Sequence, residues 1–242
     1  MAASGKELLS KIWRITKRVF LVLFIAQLVY IVLLKWVDPP FTLTQLGSWI
    51  SGKGLKRDYV NRDEMSVNAK LAVIASEDQL FADHNGFDWK SIEKAMAYNK
   101  KKPNRIKGAS TISQQVAKNV FLWQGRSWAR KALETYFTFM IELVWGKKRI
   151  LEVYLNVAEM GKGIFGIESA AQHYFGKPAK SLSVQQAAMI AACLPNPVKF
   201  TVKPVSKQVS IRYPWVMRQM NALAGDEDIR KIVQDAPAKS AK

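Results

Sequence analysis

The chain has 242 residues, and Lys plus Arg outnumber Asp plus Glu by 37 to 19, a formal charge of +18. Hydrophobic residues make up 49% of it, which excludes a disordered basic tail and points to an anionic partner: nucleic acid, an acidic lipid surface or a phosphorylated substrate. One cysteine, Cys193, rules out an internal disulfide, and with only two histidines it rules out an ordinary structural zinc site.

Residues 1–18 form a basic segment carrying Lys6, Lys11, Arg14, Lys17 and Arg18. The apolar run from Val19 to Leu34 follows. It falls short of the usual span of about 20 residues. Lys35 can snorkel, and Tyr30 and Trp36 suit a membrane interface, so residues 19–37 read as a transmembrane signal-anchor helix. A cleaved signal peptide begins in the same way, but Lys-Trp-Val-Asp-Pro-Pro offers no Ala-x-Ala-like site. A buried core helix is the third alternative. The basic flank stays in the cytoplasm by the positive-inside rule, which puts the bulk of the chain outside. An exported body disfavours nucleic acid as partner. The charge then reads as attraction to the phospholipid bilayer, about 1 kcal/mol per cation near an anionic surface.

Asp38-Pro39-Pro40 ends the anchor, and residues 38–57 read as a connecting region with Ser51-Gly52-Lys53-Gly54 as its flexible part. The body, residues 58–224, is mainly helical in pattern. Ser66 caps a helix through Asp78, Asp88 caps one through Asn99, and Ser127 caps a long one through Trp145. Further helices are predicted at Thr111–Leu122, Lys147–Val157, Ile167–Tyr174, Val184–Leu194 and Ser210–Ala224. Lys100 to Gly108 is a basic loop, Gly161, Gly163 and Gly166 punctuate another, and alternating strands are scarce. Residues 225–242 read as a polar, frayed tail.

Four clusters carry candidate chemistry. The apolar run Ala69 to Ala75 ends in Glu77-Asp78, with Phe81, His84, Gly86 and Asp88 close behind. Burial raises a carboxyl pKa and nearby cations lower it, so an acid where a buried helix ends can exchange a proton near neutral pH. A lone glutamate there is better read as solvated or lysine-paired; its neighbours favour a site, since Phe81 can desolvate it and Gly86 lets the chain bend. In the second cluster, between Ser110 and Asn119, Thr111, Gln114, Gln115 and Lys118 share one helix face. Hydroxyl, amide and ammonium groups suit sugar hydroxyls and phosphate, although Gln-Gln alone fits a solvated face. In the third, Arg130, Lys131 and Glu134 lie among Trp128, Ala132, Leu133, Tyr136 and Phe137. An i,i+4 salt bridge is the ordinary reading; a partly buried arginine can instead grip a diphosphate with its planar fork. The fourth holds Glu152, Tyr154 and Asn156, read as structural support with Glu152 and Asn156 bonding to neighbouring backbone.

Glu-Asp-x-x-Phe-x-x-His-x-Gly, Gly-x-Ser-Thr-x-x-Gln-Gln-x-x-Lys-Asn, Arg-Lys-x-x-Glu and Lys-x-Ile-Leu-Glu-x-Tyr-Leu-Asn stand in that order. They resemble the motifs of the peptidoglycan glycosyltransferases found in class A penicillin-binding proteins and their monofunctional relatives. Gly163-Ile-Phe-Gly166, Tyr174-Phe-Gly-Lys177 and Leu194-Pro-Asn-Pro197 extend the likeness over residues 58 to 200. Ala82 departs from the pattern, where an aromatic is expected after Phe81.

The resemblance implies a lysozyme-like, mainly α glycosyltransferase domain with a smaller, membrane-associated lobe. It implies polymerisation of lipid II into β-1,4-linked glycan strands with release of undecaprenyl diphosphate. By motif position Glu77 resembles the general base and Glu134 a second glutamate near the diphosphate. Lys118 and Arg130 resemble cationic clamps, and Thr111, Gln115, Asp78, Phe81 and His84 cleft positions. The implied partners are lipid II, the growing glycan and, beyond them, cell-wall synthesis or division proteins; the implied location is the bacterial inner membrane with the catalytic domain on its outer face. No cofactor is required, no metal ligands are assigned, and stimulation by a divalent cation is left open. Transpeptidase activity is not expected, because the about 40 residues after position 200 are too few for a second domain. A lytic transglycosylase and an inert anchored scaffold are the competing readings. Against the first stand the cations at 118 and 130, and against the second the intact acids at 77 and 134.

Overall fold

The computed structural model describes residues 5–103, 107–125 and 127–235, and it divides into two compact units, residues 1–38 and 39–242. The first unit is one helix, α1 (Gly5–Leu33). Its stretch Leu9–Leu33 is long and apolar enough to cross a membrane. The helix therefore starts inside the basic segment and ends before Lys35. Residues 34–37, expected within the helix, form turns.

The second unit is built from ten helices among the described residues and one small sheet. Part of the expected connecting region is ordered: α2 (Leu43–Ile50) is closed by a capping box between Thr42 and Gln45. Its inner side buries Gln45 and Ser48, while Leu43, Leu46, Trp49 and Ile50 stay exposed. Strand β1 (Lys56–Arg57) follows. Helix α3 (Val67–Glu77) starts at Ser66, whose hydroxyl accepts from the Ala69 N–H at 3.0 Å. Every residue from Ala69 to Ala75 is buried, so α3 is a central helix rather than an amphipathic one. It packs against α9 (Val184–Cys193), α10 (Lys207–Leu223) and α11 (Glu227–Val233).

The other half is arranged around α5 (Ile112–Phe121), which packs on α6 (Trp128–Val144) and α7 (Lys147–Val157). Between α3 and α5 lies α4 (Trp89–Lys101), capped by Asp88. Strands β2 (Glu159–Gly161) and β3 (Ile164–Phe165) come next, then α8 (Ile167–Phe175). The sheet order is β1-β3-β2, with β1 parallel and β2 antiparallel to β3. Two- and three-residue strands carry no readable alternation, so the expected loop around Gly161–Gly166 is a hairpin instead.

The C-terminal tail departs most from expectation. Residues 227–233 form α11, which buries Ile229, Ile232 and Val233. Beyond it Asp235 pairs with the fully buried Lys70 at 2.7 Å and with Arg62 at 2.6 Å. Its polar composition hid three apolar anchors at helical spacing. Residues 236–242 of the expected tail, 1–4 of the basic segment and 104–106 of the basic loop lie outside the described residues.

Candidate active site

Glu77 is the last residue of α3, and Asp78 closes the helix with an extended backbone. The buried body of α3 thus delivers Glu77 to the edge of an open groove of about 830 Å³, lined also by Asp78, Ser110, Thr111, Gln115 and Arg212. A second groove of about 580 Å³ continues from it, sharing Gln115 and Pro195, and is lined by Lys118, Asn119 and Tyr154.

Hydrogen bonds fix the Glu77 carboxylate. One oxygen accepts from the Gln115 amide at 3.1 Å, and the other from the Ser76 hydroxyl at 3.1 Å. The Gln115 carbonyl in turn accepts from the Tyr154 hydroxyl at 3.2 Å. Burial, then the charge of Glu77, pushes the Tyr154 phenol well above its ordinary pKa, so it remains a neutral donor. On the open side Arg212 approaches Glu77 to 3.8 Å while donating to the Ser76 carbonyl and hydroxyl. A carboxylate has about four lone-pair positions, so these contacts orient Glu77 without exhausting it.

Lys118 lies one helical turn beyond Gln115 and makes no ion pair among the described residues. Burial lowers its ammonium pKa; Glu134 pulls it back up, Arg130 and Lys131 lower it further, and Glu77 raises it. Lys118 thus stands within electrostatic reach of both glutamates. Glu134 itself is 3% exposed. Its oxygens accept from Arg130 at 2.7 Å and from Lys131 at 2.5 Å. Each oxygen thus meets one cation, and Glu134 holds the Arg130 and Lys131 side chains together. The Arg130 Nε is buried and has no partner among the described residues.

Several expected cleft residues also make contacts that hold the frame. Phe81 is fully buried. Asp78 accepts from the Ile112 N–H at the start of α5 at 2.9 Å and from His84 Nε2 at 2.9 Å. His84 Nδ1 accepts from the Gly86 N–H, which assigns the ring proton to Nε2. Gly86 has φ +89°, and a Cβ there would meet Thr138 Cγ2 at 2.7 Å, so the loop lies flat on α6. Thr111 and Gln114 form a reciprocal capping box, and the Thr111 hydroxyl donates to the Gly86 carbonyl at 2.7 Å. Gln114 is thus buried and engaged in the cap, while Thr111 also lines the first groove. This knot of Asp78, His84, Gly86 and Thr111 sets the start of α5, and hence where Gln115 and Lys118 stand.

Asn156 bonds both the N–H and the carbonyl of Val60, as expected of a backbone clamp, whereas Glu152 pairs with Arg149 at 3.2 Å. Tyr154, expected to be structural, reaches the site through Gln115. Arg212 was not legible at all: it stands 136 residues from Ser76, and no local spacing links them. Among the described residues no group of three or more His, Cys, Asp or Glu gathers to hold a metal. The Asp78 oxygens are already engaged and Asp83 is exposed.

Comparison with known proteins decides the family. The Transglycosylase family matches residues 44–221. The "Biosynthetic peptidoglycan transglycosylase" of Yersinia pseudotuberculosis serotype IB (strain PB1/+) is 48% identical over 234 residues, covering 94% of this chain and 97% of the relative. The protein of the same description from Yersinia pestis is 48% identical over 233 residues, covering 93% and 97%. The chain belongs to the transglycosylase family. The matched region takes in α2 and both grooves, so the family extends into residues expected to be a mere connection. It stops before α11, leaving Asp235, the partner of Lys70, outside it.

Proposed function

We propose that this transglycosylase is a peptidoglycan glycosyltransferase that polymerises lipid II, joining the reducing end of a growing glycan to the 4-hydroxyl of the next disaccharide. The observation that carries the reading is Glu77 lining the first of two confluent grooves and bonded to Gln115, which both share, with the ammonium of Lys118, unpaired among the described residues, lining the second. A carboxylate base belongs on the acceptor side and cations on the leaving-group side of an inverting transfer.

In this reading the acceptor occupies the groove of Glu77, Ser110 and Arg212. Its 4-hydroxyl loses a proton to Glu77 as its oxygen forms the new bond to C1 of the donor. The C1–O bond to the diphosphate breaks, and the electron pair leaves with the diphosphate. That group is a good leaving group, so its charge needs holding more than it needs a proton. Lys118 meets it directly, and the free Nε of Arg130 offers a buried donor to a phosphate oxygen. Glu134 is a positioning residue for Arg130 and Lys131. Tyr154 and Gln115 keep Glu77 turned toward the acceptor. Displacement on the opposite face turns an α-linked donor into a β-linked product. The reading places α1 across the inner membrane, with the N-terminus in the cytoplasm and the grooves outside.

The test is to incubate the purified full chain separately with lipid II and with intact sacculi. Polymer from lipid II and no soluble fragments from sacculi is the expected result. Soluble muropeptides with no polymer would replace this reading with a glycan-cleaving one.

A further inference from the structure

Resting on the lipid II reading, we infer that the cleft lined by Lys53, Lys56, Lys162 and Lys203 is a guide for the growing strand, taking carboxylates of the peptides it carries. The cleft measures about 220 Å³ and is lined also by His173, Tyr174 and Thr201. No carboxylate lines it among the described residues, and none of its four lysines makes an ion pair there. Four like charges around one small space repel one another, and an anionic occupant relieves that. Lys203 also lies over the Phe175 ring, with its Nζ 5.0 Å from the centroid.

The backbone builds the cleft. The Lys56 N–H donates to the Gly163 carbonyl at 2.8 Å in the β1–β3 ladder. Gly163 has φ +68°, and a Cβ there would sit 2.4 Å from the Lys53 carbonyl. The turn at 51–54 is tied back through Ser48, whose hydroxyl donates to the Gly54 carbonyl at 2.8 Å. Only this close approach of two glycine turns brings Lys53 and Lys162 to one mouth.

Position selects the occupant. Lys53 lines both this cleft and the second groove, where Lys118 stands. A donor strand with its diphosphate at Lys118 extends along that groove toward Lys53. The nearest acids are Glu159, which lines the second groove and accepts from the Gly163 N–H at 3.0 Å, and Asp58, which lines the neighbouring cleft beside Lys56 and His173. A strand bearing peptide carboxylates matches the charge, the continuity with the groove and the small size of the cleft.

The test compares full-length wild type with Lys56→Gln/Lys162→Gln/Lys203→Gln, substitutions at exposed positions that leave Lys53 in place. Both are assayed in zwitterionic nanodiscs, and in a parallel set containing anionic lipid, on lipid II with free peptide carboxylates and on lipid II with those carboxylates amidated, reading strand length on gels. The expected result is a several-fold shortening for the variant on the free substrate and equal lengths for both proteins on the amidated one. Wild type alone gives a second reading: its strands are longer on the free substrate. Equal lengths everywhere, or equal shortening on both substrates, would overturn the inference. Shortening confined to nanodiscs containing anionic lipid would also overturn it, making the cleft a headgroup site. Wild type forming no polymer removes the lipid II reading itself, before any lysine has been changed.

Discussion

Asp235→Ala probes how the body of the helix that carries Glu77 is secured. Lys70, two turns before Glu77 on α3, is fully buried, and its ammonium meets Asp235 at 2.7 Å. Removing one partner of a fully buried pair costs about 3–5 kcal/mol. Asp235 keeps 34% of its side chain exposed, so water relieves part of that, and about 2–3 kcal/mol remains. For a domain of this size that lowers Tm by about 5–10 °C. Thermal unfolding of the full chain, followed by circular dichroism, reads the shift. Lys70→Met combined with Asp235→Ala recovers the part due to the stranded Lys70 ammonium and leaves the loss of the Arg62 pair. The pH dependence has a definite sign. Burial holds the Lys70 pKa below its usual 10.5 despite the bond from Asp235, and losing Asp235 lowers it further. Between that lowered value and 10.5 the unfolded chain binds more protons than the folded one, so stability rises with pH. The deficit of Asp235→Ala therefore shrinks as pH rises between the variant's lowered Lys70 value and the wild-type one. A variant that melts with wild type, or whose deficit deepens with pH, would refute the reasoning.

Other outcomes follow from the same contacts. Tyr154→Phe removes one neutral hydrogen bond to Gln115, worth about 1 kcal/mol; kcat should fall about fivefold with KM little changed, and an unchanged kcat would mean that Gln115 needs no anchor. Lys118 has a lowered pKa, so wild-type kcat/KM should decline with rising pH below 10.5. Lys118→Arg, always charged, should lack that alkaline limb in whatever activity it keeps, and identical limbs would detach Lys118 from the diphosphate. Phe81→Ala empties a fully buried site and should cost about 3–5 kcal/mol in denaturant unfolding, whereas a loss under about 1 kcal/mol would return Phe81 to the cleft.

Helix starts were legible because capping is local. Ser66, Asp88 and Ser127 each accept from an N–H three residues on, as the sequence suggested, and so does Thr111, read there as the helix's first residue. The same rule, applied one step further, reads Thr111-x-x-Gln114 as a capping box, which engages Gln114 while Thr111 still lines the first groove. The order of the motifs pointed to Glu77, Gln115 and Lys118, which the fold does bring together. Contacts between distant segments left no local trace. Arg212 beside Glu77, Tyr154 behind Gln115 and Asp235 on Lys70 depend on how α10, α7 and the tail pack on α3 and α5. Glu134 was legible as a paired acid, but only the structure shows both its oxygens taken by cations.

The most direct test of the central claim is lipid II polymerisation by purified Glu77→Gln beside wild type. Glutamine keeps the shape and can still bond Gln115, but it cannot take a proton. The account predicts a loss of about 10²–10⁴-fold in rate with an unchanged Tm. A Glu77→Gln protein that polymerises at the wild-type rate would contradict it.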